Sequence, residues 1–426
     1  MLIVFIVFLV LLIIGAPVSL SVGISGVCFF LQHAEMPFNQ IVQLTLTNVQ
    51  SLAFLAVPLF ILAGHLMNAS GITERLLGFA DILTGHMRGG MAQSSVVLST
   101  LMGGVSGSST ADAAMESRVL GPSMIKAGYP RGYTAVVIGY TSLITSTIPP
   151  GINLILYGTT AGISIGRLFM AGLMVGLIMM VALMITVAIT ARKKNLKPSR
   201  ERRASLKEIF KSVCENIWAL IFPVLLLVGI RLGLFTATEV GSFACVYALC
   251  VGVFAYKQIN LKNIWKILED AAVDIAGIMF LVACTGIFSY GIPIDRIPQK
   301  ITTFMLGLTN SSQMILLMII ACLLVFGMFI DGGIVVLLTT PIFLPLIKQL
   351  GIDPVMFGML ICTVSCMGIL TPPVGVAMYI VCDNLKVPLS EWMKESIPFL
   401  ITVIIVMVLM ICFPEISTWL PDLVYG

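Results

Sequence analysis

The sequence predicts an all-α polytopic membrane protein with two related halves, each containing a re-entrant helical hairpin and a broken helix. Apolar residues make up 58% of the 426 residues and charged residues only 10%, whereas a soluble domain carries about a quarter charged residues. Long apolar stretches recur along the chain, and a helix that crosses a bilayer needs about 20 such residues. Examples are Met1–Val27, Leu168–Ala191, Asn216–Ile230, Leu232–Tyr256, Ile275–Pro293, Ser311–Ile330 and Ser396–Pro414.

The basic residues are concentrated in one segment between apolar stretches. Nine of the 24 Lys and Arg residues lie between Arg192 and Lys211, and such residues accumulate in the cytoplasmic loops of membrane proteins. This segment is therefore expected to be a cytoplasmic linker, and nucleic-acid binding is not expected because membrane spans flank it. The first apolar stretch has no basic segment before it and no cleavage site, so it is expected to be a retained span.

A set of motifs recurs in the same order at a spacing of 220 to 224 residues. This recurrence divides the chain into a first repeat (1–190), a basic linker (191–211) and a second repeat (212–426). Transporters use such repeats with inverted topology and place their site at the repeat interface; the number of crossings in each half is left open. The matched pairs are Ala63–Ile72 with Ala283–Ile292, Pro122 with Pro345, Gly128 with Gly351, and Thr147–Gly151 with Leu370–Gly375.

Each half contains two places where a regular helix is interrupted. Glycine- and hydroxyl-rich backbone at membrane depth is tolerated only where it is buried in protein or lines a watery cavity, and tandem prolines remove backbone donors. The sequence thus predicts a hairpin at about 90–127 with its tip at Ser106–Thr110, and a broken helix at about 132–162. The second half repeats both, with a hairpin at about 313–348 and a broken helix at about 354–383.

These interruptions predict a binding chemistry. The C-terminal ends of half-helices and unwound carbonyls carry partial negative charge and suit a cation such as sodium, whereas half-helix N-termini suit an anion. A cation-coupled carrier of small organic anions is the function that this arrangement favours. No cofactor beyond coupling sodium ions is expected, and Cys362 and Cys366 are interpreted as buried apolar side chains rather than metal ligands.

Acidic residues inside apolar segments are functional candidates because a charge is costly in a membrane. Asp112 and Asp331 either cap the helices that leave the two tips or bind an ion or substrate directly. Asn153 either lines the site or caps a half-helix. Glu116 is expected on a solvated hairpin arm, with proton carriage as the alternative.

Two other classes of function were weighed against transport. An intramembrane aspartic protease needs two carboxylates close together, and that hypothesis leaves the repeat unexplained. A passive channel generally needs rings of repeated ligands around a pore, which two halves do not readily supply. An enzyme is therefore not expected.

Several of these motifs also carry a resemblance to a known family. The chain resembles the large membrane subunit (DctM type) of tripartite ATP-independent periplasmic (TRAP) transporters, over residues 15 to 414. The motifs are Val57–Met67 with Ser70–Ile72, Gly85–Gly90, Gly107–Asp112, Ala127–Tyr129, Ile148–Pro150 with Tyr157–Gly158, Gly327–Asp331 and Gly368–Pro373.

The resemblance implies an elevator-type ion-transporter fold, in which a domain of two hairpins and two broken helices slides against a scaffold. It also implies sodium-driven import across a bacterial inner membrane, with the substrate delivered by a periplasmic binding protein. A small four-helix membrane subunit is expected as a separate chain, because no segment of that kind precedes the first span. Membrane lipid surrounds the assembly.

The same resemblance assigns candidate site residues by motif. The first sodium site would comprise Ser106, Ser108, Ser109, Thr147, Pro149 and Asn153. The second would comprise Asp331, Gly332, Gly368, Thr371 and Gly375. The substrate, a carboxylate, sugar acid or sulfonate, would lie between them against Thr110, Asp112, Asn153, Gly333 and Thr371.

Overall fold

The computed structural model describes residues 1–33, 35–232, 234–260, 262–309 and 311–426. All regular structure in these ranges is helical. The helices up to the basic linker are α1 Leu2–Ile13, α2 Val18–Gln32, α3 Asn39–Gln50, α4 Ala56–Ala69, α5 Ile72–Thr84, α6 Gly90–Gly103, α7 Ser109–Val119, α8 Gly121–Lys126, α9 Arg131–Thr147, α10 Ile152–Ala161 and α11 Ile165–Lys193.

The helices after the basic linker follow a similar order. They are α12 Leu206–Glu215, α13 Ile217–Arg231, α14 Ala237–Cys250 with a π-helical extension at Val251–Ala255, α15 Ile264–Ile294, α16 Ile297–Leu308, α17 Ser312–Gly327, α18 Gly332–Gln349, α19 Pro354–Gly368, α20 Val376–Leu385, α21 Leu389–Cys412 and α22 Glu415–Tyr425.

The lengths and composition of the helices confirm a multi-pass helical membrane protein. In the described residues, five helical segments are long and apolar enough to cross a membrane. The count rises to eight if each of three bent helix pairs is one span, and the pair α9–α10 bends by 42°. Apolar side chains cover the outside of these helices, as in α21, where Ile397, Ile401 and Ile405 are exposed.

The first apolar stretch is not the single helix that its composition predicts. The backbone turns between α1 and α2, where Gly15 has a φ of +85°. Pro17 precedes α2 and lacks the N–H group that a continuous helix would need. The stretch Met1–Val27 therefore forms two shorter helices that pack against each other.

One set of helices, which we call the peripheral group, comprises α1–α4, α14 and α15. The 31-residue α15 packs along α2, α3 and α4, and α14 packs along α4. Polar contacts join these helices, such as the Asn48 amide, which donates to the carbonyl of Val282 at 3.2 Å.

A second set, the central group, comprises α6, α7, α9–α11 and α17–α22. Here the two halves of the chain interleave: α7 packs against α9 and α20, and α18 packs against α19 and α10. The second helix of each hairpin therefore contacts the broken helix of its own half and that of the other half. This exchange brings both hairpin tips and both helix breaks to one place.

Candidate functional site

A cavity of about 540 Å³ lies where the hairpin tips of the central group face the peripheral group. The central group contributes both tips and parts of the broken helices: Ser106–Ala111, Ala114, Ser146, Ile152, Asn153, Leu156, Asp331–Ile334, Cys366, Ile369 and Ile380. The peripheral group contributes Ile61, Gly64, His65, Asn68, Val273, Asp274, Gly277, Ile278 and Leu281.

Three helices begin at this cavity, so their N-terminal dipoles meet there. Residues at the first turns of α7, α10 and α18 all line it. Ser108 caps α7, accepting a hydrogen bond from the Ala111 N–H at 3.4 Å, and Asp331 caps α18, accepting from the Gly333 N–H at 2.9 Å. Unpaired N–H groups and partial positive charge at helix N-termini attract anions. The cavity is therefore suited to a negatively charged ligand.

Each hairpin tip is joined to the helix break of its own half by a backbone hydrogen bond. The Gly107 carbonyl accepts from the Ile152 N–H at 3.2 Å, and the Met328 carbonyl accepts from the Gly375 N–H at 3.0 Å. These partners correspond at the repeat spacing, since 107 and 328 are 221 residues apart and 152 and 375 are 223 apart. Both breaks also contain a cis peptide bond, at Pro149-Pro150 and Pro372-Pro373.

Glycine is required where a tip touches a break. Gly107 has a φ of +60°, and a Cβ there would overlap the carbonyl oxygen of Pro150. In the second half a Cβ on Gly368 would come within 2.5 Å of the Gly327 backbone. Real Cβ atoms do not approach backbone so closely, so both contacts depend on the absence of a side chain.

The two halves also touch each other at the centre of the site. Asn153 at the start of α10 donates from Nδ2 to the Cys366 Sγ at 3.1 Å, and Ser146 at the end of α9 donates to the same sulfur at 3.1 Å. The Asn153 side chain also lies beside Gly332 and Gly333 at the start of α18. Asn153 thus connects the first break to the second tip.

The predicted first sodium cluster is divided in two by the structure. Ser106, Ser108, Ser109 and Asn153 line the cavity. Thr147 instead faces α11, where its carbonyl packs directly on Gly172. Pro149 also contacts Gly172, so the carbonyl of the break that reaches the tip is that of Pro150. The sequence analysis did not single out this oxygen.

The predicted second sodium cluster gathers around the second tip. Asp331 and Gly332 line the cavity, and Gly368 packs on the tip at Gly327. Thr371 donates to the Met367 carbonyl at 2.8 Å, and its own carbonyl oxygen lies next to Gly375. These residues occupy one region, although Gly368, Thr371 and Gly375 do not line the cavity.

Three of the five predicted substrate contacts line the cavity, namely Thr110, Asn153 and Gly333. Thr371 and Asp112 do not line it. Asp112 is buried behind the first tip, where its Oδ2 accepts a hydrogen bond from the Thr145 hydroxyl at 2.6 Å. The Asp112 carboxylate therefore hydrogen-bonds inside the protein and does not face the cavity.

Glu116 corrects the expectation of a solvated hairpin arm. Its side chain is fully buried, one helical turn beyond Asp112 on α7. Two hydroxyls of α6 hold its carboxylate: Ser95 donates to Oε2 at 2.6 Å and Ser99 donates to Oε1 at 2.8 Å. The arm is enclosed because α6, α9 and α20 all pack around α7, which sequence periodicity in α7 did not reveal.

The sequence analysis missed the residues that the peripheral group brings to the cavity. His65 and Asp274 form a pair across α4 and α15, with Nε2 and Oδ2 2.8 Å apart. An acid within an apolar helix is a recognisable signal, but the predicted span began at Ile275, just beyond Asp274. Cys366 was expected to be a buried apolar side chain; it is buried, and it also accepts hydrogen bonds at the site.

The chain matches the family model described as "Tripartite ATP-independent periplasmic transporter, DctM component" over residues 5–416. The chain belongs to this family. It is therefore a transporter subunit of the DctM type and not an enzyme, as the sequence motifs predicted.

Relatives of this DctM-family chain match it almost from end to end. The 2,3-diketo-L-gulonate TRAP transporter large permease of Escherichia coli is 33% identical and covers 95% of this chain and 94% of its own length. The sialic acid TRAP transporter large permease of Vibrio cholerae is 33% identical and covers 98% of this chain and 97% of its own length. The isethionate permease of Oleidesulfovibrio alaskensis is 31% identical over 96% of this chain and 64% of its own length.

Solved structures share the fold at low sequence identity. The YdaH transporter of Alcanivorax borkumensis superposes with a TM-score of 0.66 and 12% identity, covering 89% of this chain and 90% of that chain. MtrF of Neisseria gonorrhoeae superposes with a TM-score of 0.57 and 13% identity, covering 87% of this chain and 83% of that chain. At these identities the similarity concerns the fold alone.

Proposed function

We propose that this DctM-family subunit imports a small organic anion across a bacterial inner membrane by sodium-coupled secondary transport. The observation that carries the proposal is the single cavity at which three helix N-termini and both hairpin tips meet. Membership of a transporter family supports a role for this cavity as the substrate site. The helix dipoles favour a negatively charged substrate.

The cavity and the names of the relatives support a small organic anion as the substrate. Relatives are named for 2,3-diketo-L-gulonate, sialic acid, isethionate and C4-dicarboxylates, all of which carry at least one acidic group. The first turn of α7 offers N–H groups to that acidic group, the N-terminal end of the α18 dipole faces the same space, and Asn153 offers an amide that both accepts and donates hydrogen bonds. We propose that the acidic group binds between Thr110 and Gly333.

Sodium would bind where each tip meets its break. Sodium prefers hard oxygen ligands, and unwound carbonyls with half-helix C-terminal ends supply them in transporters of this kind. The first tip would contribute the hydroxyl of Ser108, and the first break the carbonyl of Pro150, which lies against Gly107. The second tip would contribute Asp331, and the second break the carbonyl of Thr371. The matched tip-to-break hydrogen bonds support two sodium sites related by the repeat.

An elevator mechanism would use the division between the two helix groups. The cavity lies between them, so movement of the central group past the peripheral group would carry a bound solute across the membrane. The exposed apolar surface of the peripheral helices, including Leu9 and Val42, suits a small membrane subunit as a separate partner. A periplasmic binding protein would deliver the substrate.

Uptake into proteoliposomes tests this function. A thermal-shift screen of the cognate binding protein against organic acids first identifies the substrate. Saturable uptake of that acid is then expected only with an inward sodium gradient, the small subunit and the binding protein together. Replacement of sodium by potassium is the control, and uptake that is unchanged by it would reject sodium coupling. Flux that does not saturate would favour a channel.

A further inference from the structure

Two carboxylates lie buried together behind the first hairpin tip, away from the cavity lining. Asp112 and Glu116 are one helical turn apart on α7, and each is at most 1% exposed. Side chains at this spacing are neighbours on a helix, and like charges there repel. Neither carboxylate has an ion-pair partner among the residues that the structure describes.

Hydroxyl groups from two other helices surround the pair. Glu116 is bound by hydroxyls of α6, as described above, and Asp112 is bound by Thr145 of α9. Ser95 also contacts the Thr141 hydroxyl at 3.0 Å, so one hydrogen-bond network joins three helices. The Oδ1 atom of Asp112 is buried and makes no hydrogen bond with any described residue.

The charged groups of every element packed against α7 lie elsewhere. The segment Gly90–Gly103 of α6 contains no ionisable residue. On α9, Tyr133 contacts Thr190 and Tyr140 stacks on Trp392, while Arg131 is exposed at the start of the helix. The remaining ionisable groups are the exposed Arg118 on α7 and Lys126 on α8, and Tyr379, Cys382 and Asp383 on α20, where Asp383 pairs with Lys386.

We propose that Glu116, one helical turn from Asp112, binds a proton within the network that joins the first hairpin to the first broken helix. Two buried carboxylates that lack an ion-pair partner among the described residues are strongly destabilising when both are ionised, and one proton held by Glu116 removes that repulsion. The Ser95 and Ser99 hydroxyls, which contact its two oxygens, can accept a hydrogen bond from the protonated group. The proton comes from bulk water and returns to it, so no other reactant is needed.

A proton suits this site better than a metal ion. The hydroxyls already contact the carboxylates directly, at 2.6 to 2.8 Å, and a proton needs no further volume. The site lies next to the tip residues that line the cavity, and Thr145 precedes Ser146, which also lines it. Its occupancy would therefore set the pH dependence of transport, a consequence that rests on the proposed function.

Infrared spectroscopy of the purified full chain tests for the proton directly. The wild type is expected to show one protonated carboxyl signal at neutral pH that disappears as pH rises. Glu116→Gln is expected to remove that signal, because the amide can still hydrogen-bond with the Ser95 and Ser99 hydroxyls, accepting from one and donating to the other, but cannot titrate. The matched control is Glu74→Gln, since Glu74 is exposed on α5, and it should leave the signal intact.

Further variants keep the test decisive if Glu116→Gln does not fold. Ser99→Ala removes a hydroxyl that contacts the Glu116 carboxyl group and keeps both carboxyl groups. It must therefore shift the pH at which half of the infrared carboxyl signal is lost. A wild type without a protonated carboxyl, or a midpoint unchanged in Ser99→Ala, would overturn the proposal. These spectra do not depend on sodium-driven uptake, so they separate failure of this proposal from failure of the proposed function.

Uptake measurements then test the consequence for transport. The pH profile of sodium-driven uptake is expected to flatten in Glu116→Gln relative to the wild type and to the Glu74→Gln control. An identical pH profile in all three proteins would reject a role for the proton in transport.

Discussion

Single residues at the site act mainly in two ways: glycines allow two backbone segments to pack closely, and polar side chains cap helices. Gly107 lets a hairpin tip rest on the Pro150 carbonyl, and Gly368 lets the second break rest on the second tip. Ser108 and Asp331 cap the helices that begin at the two tips. Few of these residues carry a charge, so the chemistry of the site comes largely from backbone groups held in fixed positions.

Gly107→Ala is expected to abolish sodium-dependent uptake and to destabilise the protein. The left-handed conformation alone costs about 1–2 kcal/mol for a residue with a Cβ, and the overlap with the Pro150 carbonyl adds to that cost. Gly162→Ala is the matched control, because Gly162 has a φ of +67° and a Cβ there would meet nothing within 4 Å. Thermal unfolding and uptake of both variants check the prediction, and equal effects would contradict it.

Ser108→Ala is expected to raise the sodium concentration for half-maximal uptake. The change removes a proposed hydroxyl ligand of sodium, and loss of one such interaction costs about 1 kcal/mol, which corresponds to about a fivefold change in an equilibrium constant. Sodium titration of uptake measures this shift. Ser123→Ala, at an exposed position on α8, is the control, and an unchanged sodium curve in Ser108→Ala would remove this residue from the site.

At the scale of elements, the interrupted helices supply the backbone groups that we propose bind sodium. The α9–α10 and α19–α20 pairs each break at a proline doublet, and each break is tied to its hairpin tip by one backbone hydrogen bond. Because the prolines lack N–H donors, some carbonyls near each doublet have no hydrogen-bond donor within the helix. A continuous helix in either place would bond these oxygens internally.

The double variant Pro372→Ala with Pro373→Ala is expected to reduce transport more than expression. Alanine favours a continuous helix, which would withdraw the carbonyls proposed to bind sodium at the second site. Uptake normalised to the amount of folded protein in the membrane measures the effect. Pro398→Ala is the control, since Pro398 lies inside the continuous helix α21. Normal sodium-dependent uptake in the double variant would count against the second site.

At the scale of the whole molecule, the site belongs to no single element or half. The tips, the breaks and the two peripheral helices α4 and α15 come from distant parts of the chain, yet they surround one cavity. Contacts between the halves, such as that from Asn153 to Cys366, link the two proposed sodium sites to the substrate position. Ligand binding there should therefore stabilise the entire fold.

Sodium is expected to raise the unfolding temperature of the purified protein, whereas potassium at equal ionic strength should not. A ligand that binds only the folded state adds about 2.7 kcal/mol at a concentration 100 times its Kd, and two sites would add together. Thermal unfolding in sodium, potassium and choline salts measures the effect. Equal stabilisation by all three salts would show that no selective sodium site contributes.

The membrane class, the helix breaks and the family could all be predicted from the amino-acid sequence. Composition indicates a membrane environment, since 58% apolar and only 10% charged residues depart from the composition of a soluble domain. Glycine and proline placed the interruptions, because their effects on the backbone are local. The resemblance stated from the motifs was confirmed by the family model over residues 5–416.

Which groups meet at the site depends on the packing of distant helices. Glu116 sits on a helix whose own sequence does not show that α6, α9 and α20 enclose it, so its burial could not be predicted from local pattern. His65 and Asp274 reach the cavity because α4 and α15 pack together across more than 200 residues of chain. Local propensity acts through the backbone of a few neighbouring residues, whereas a site of this kind is assembled by long-range packing.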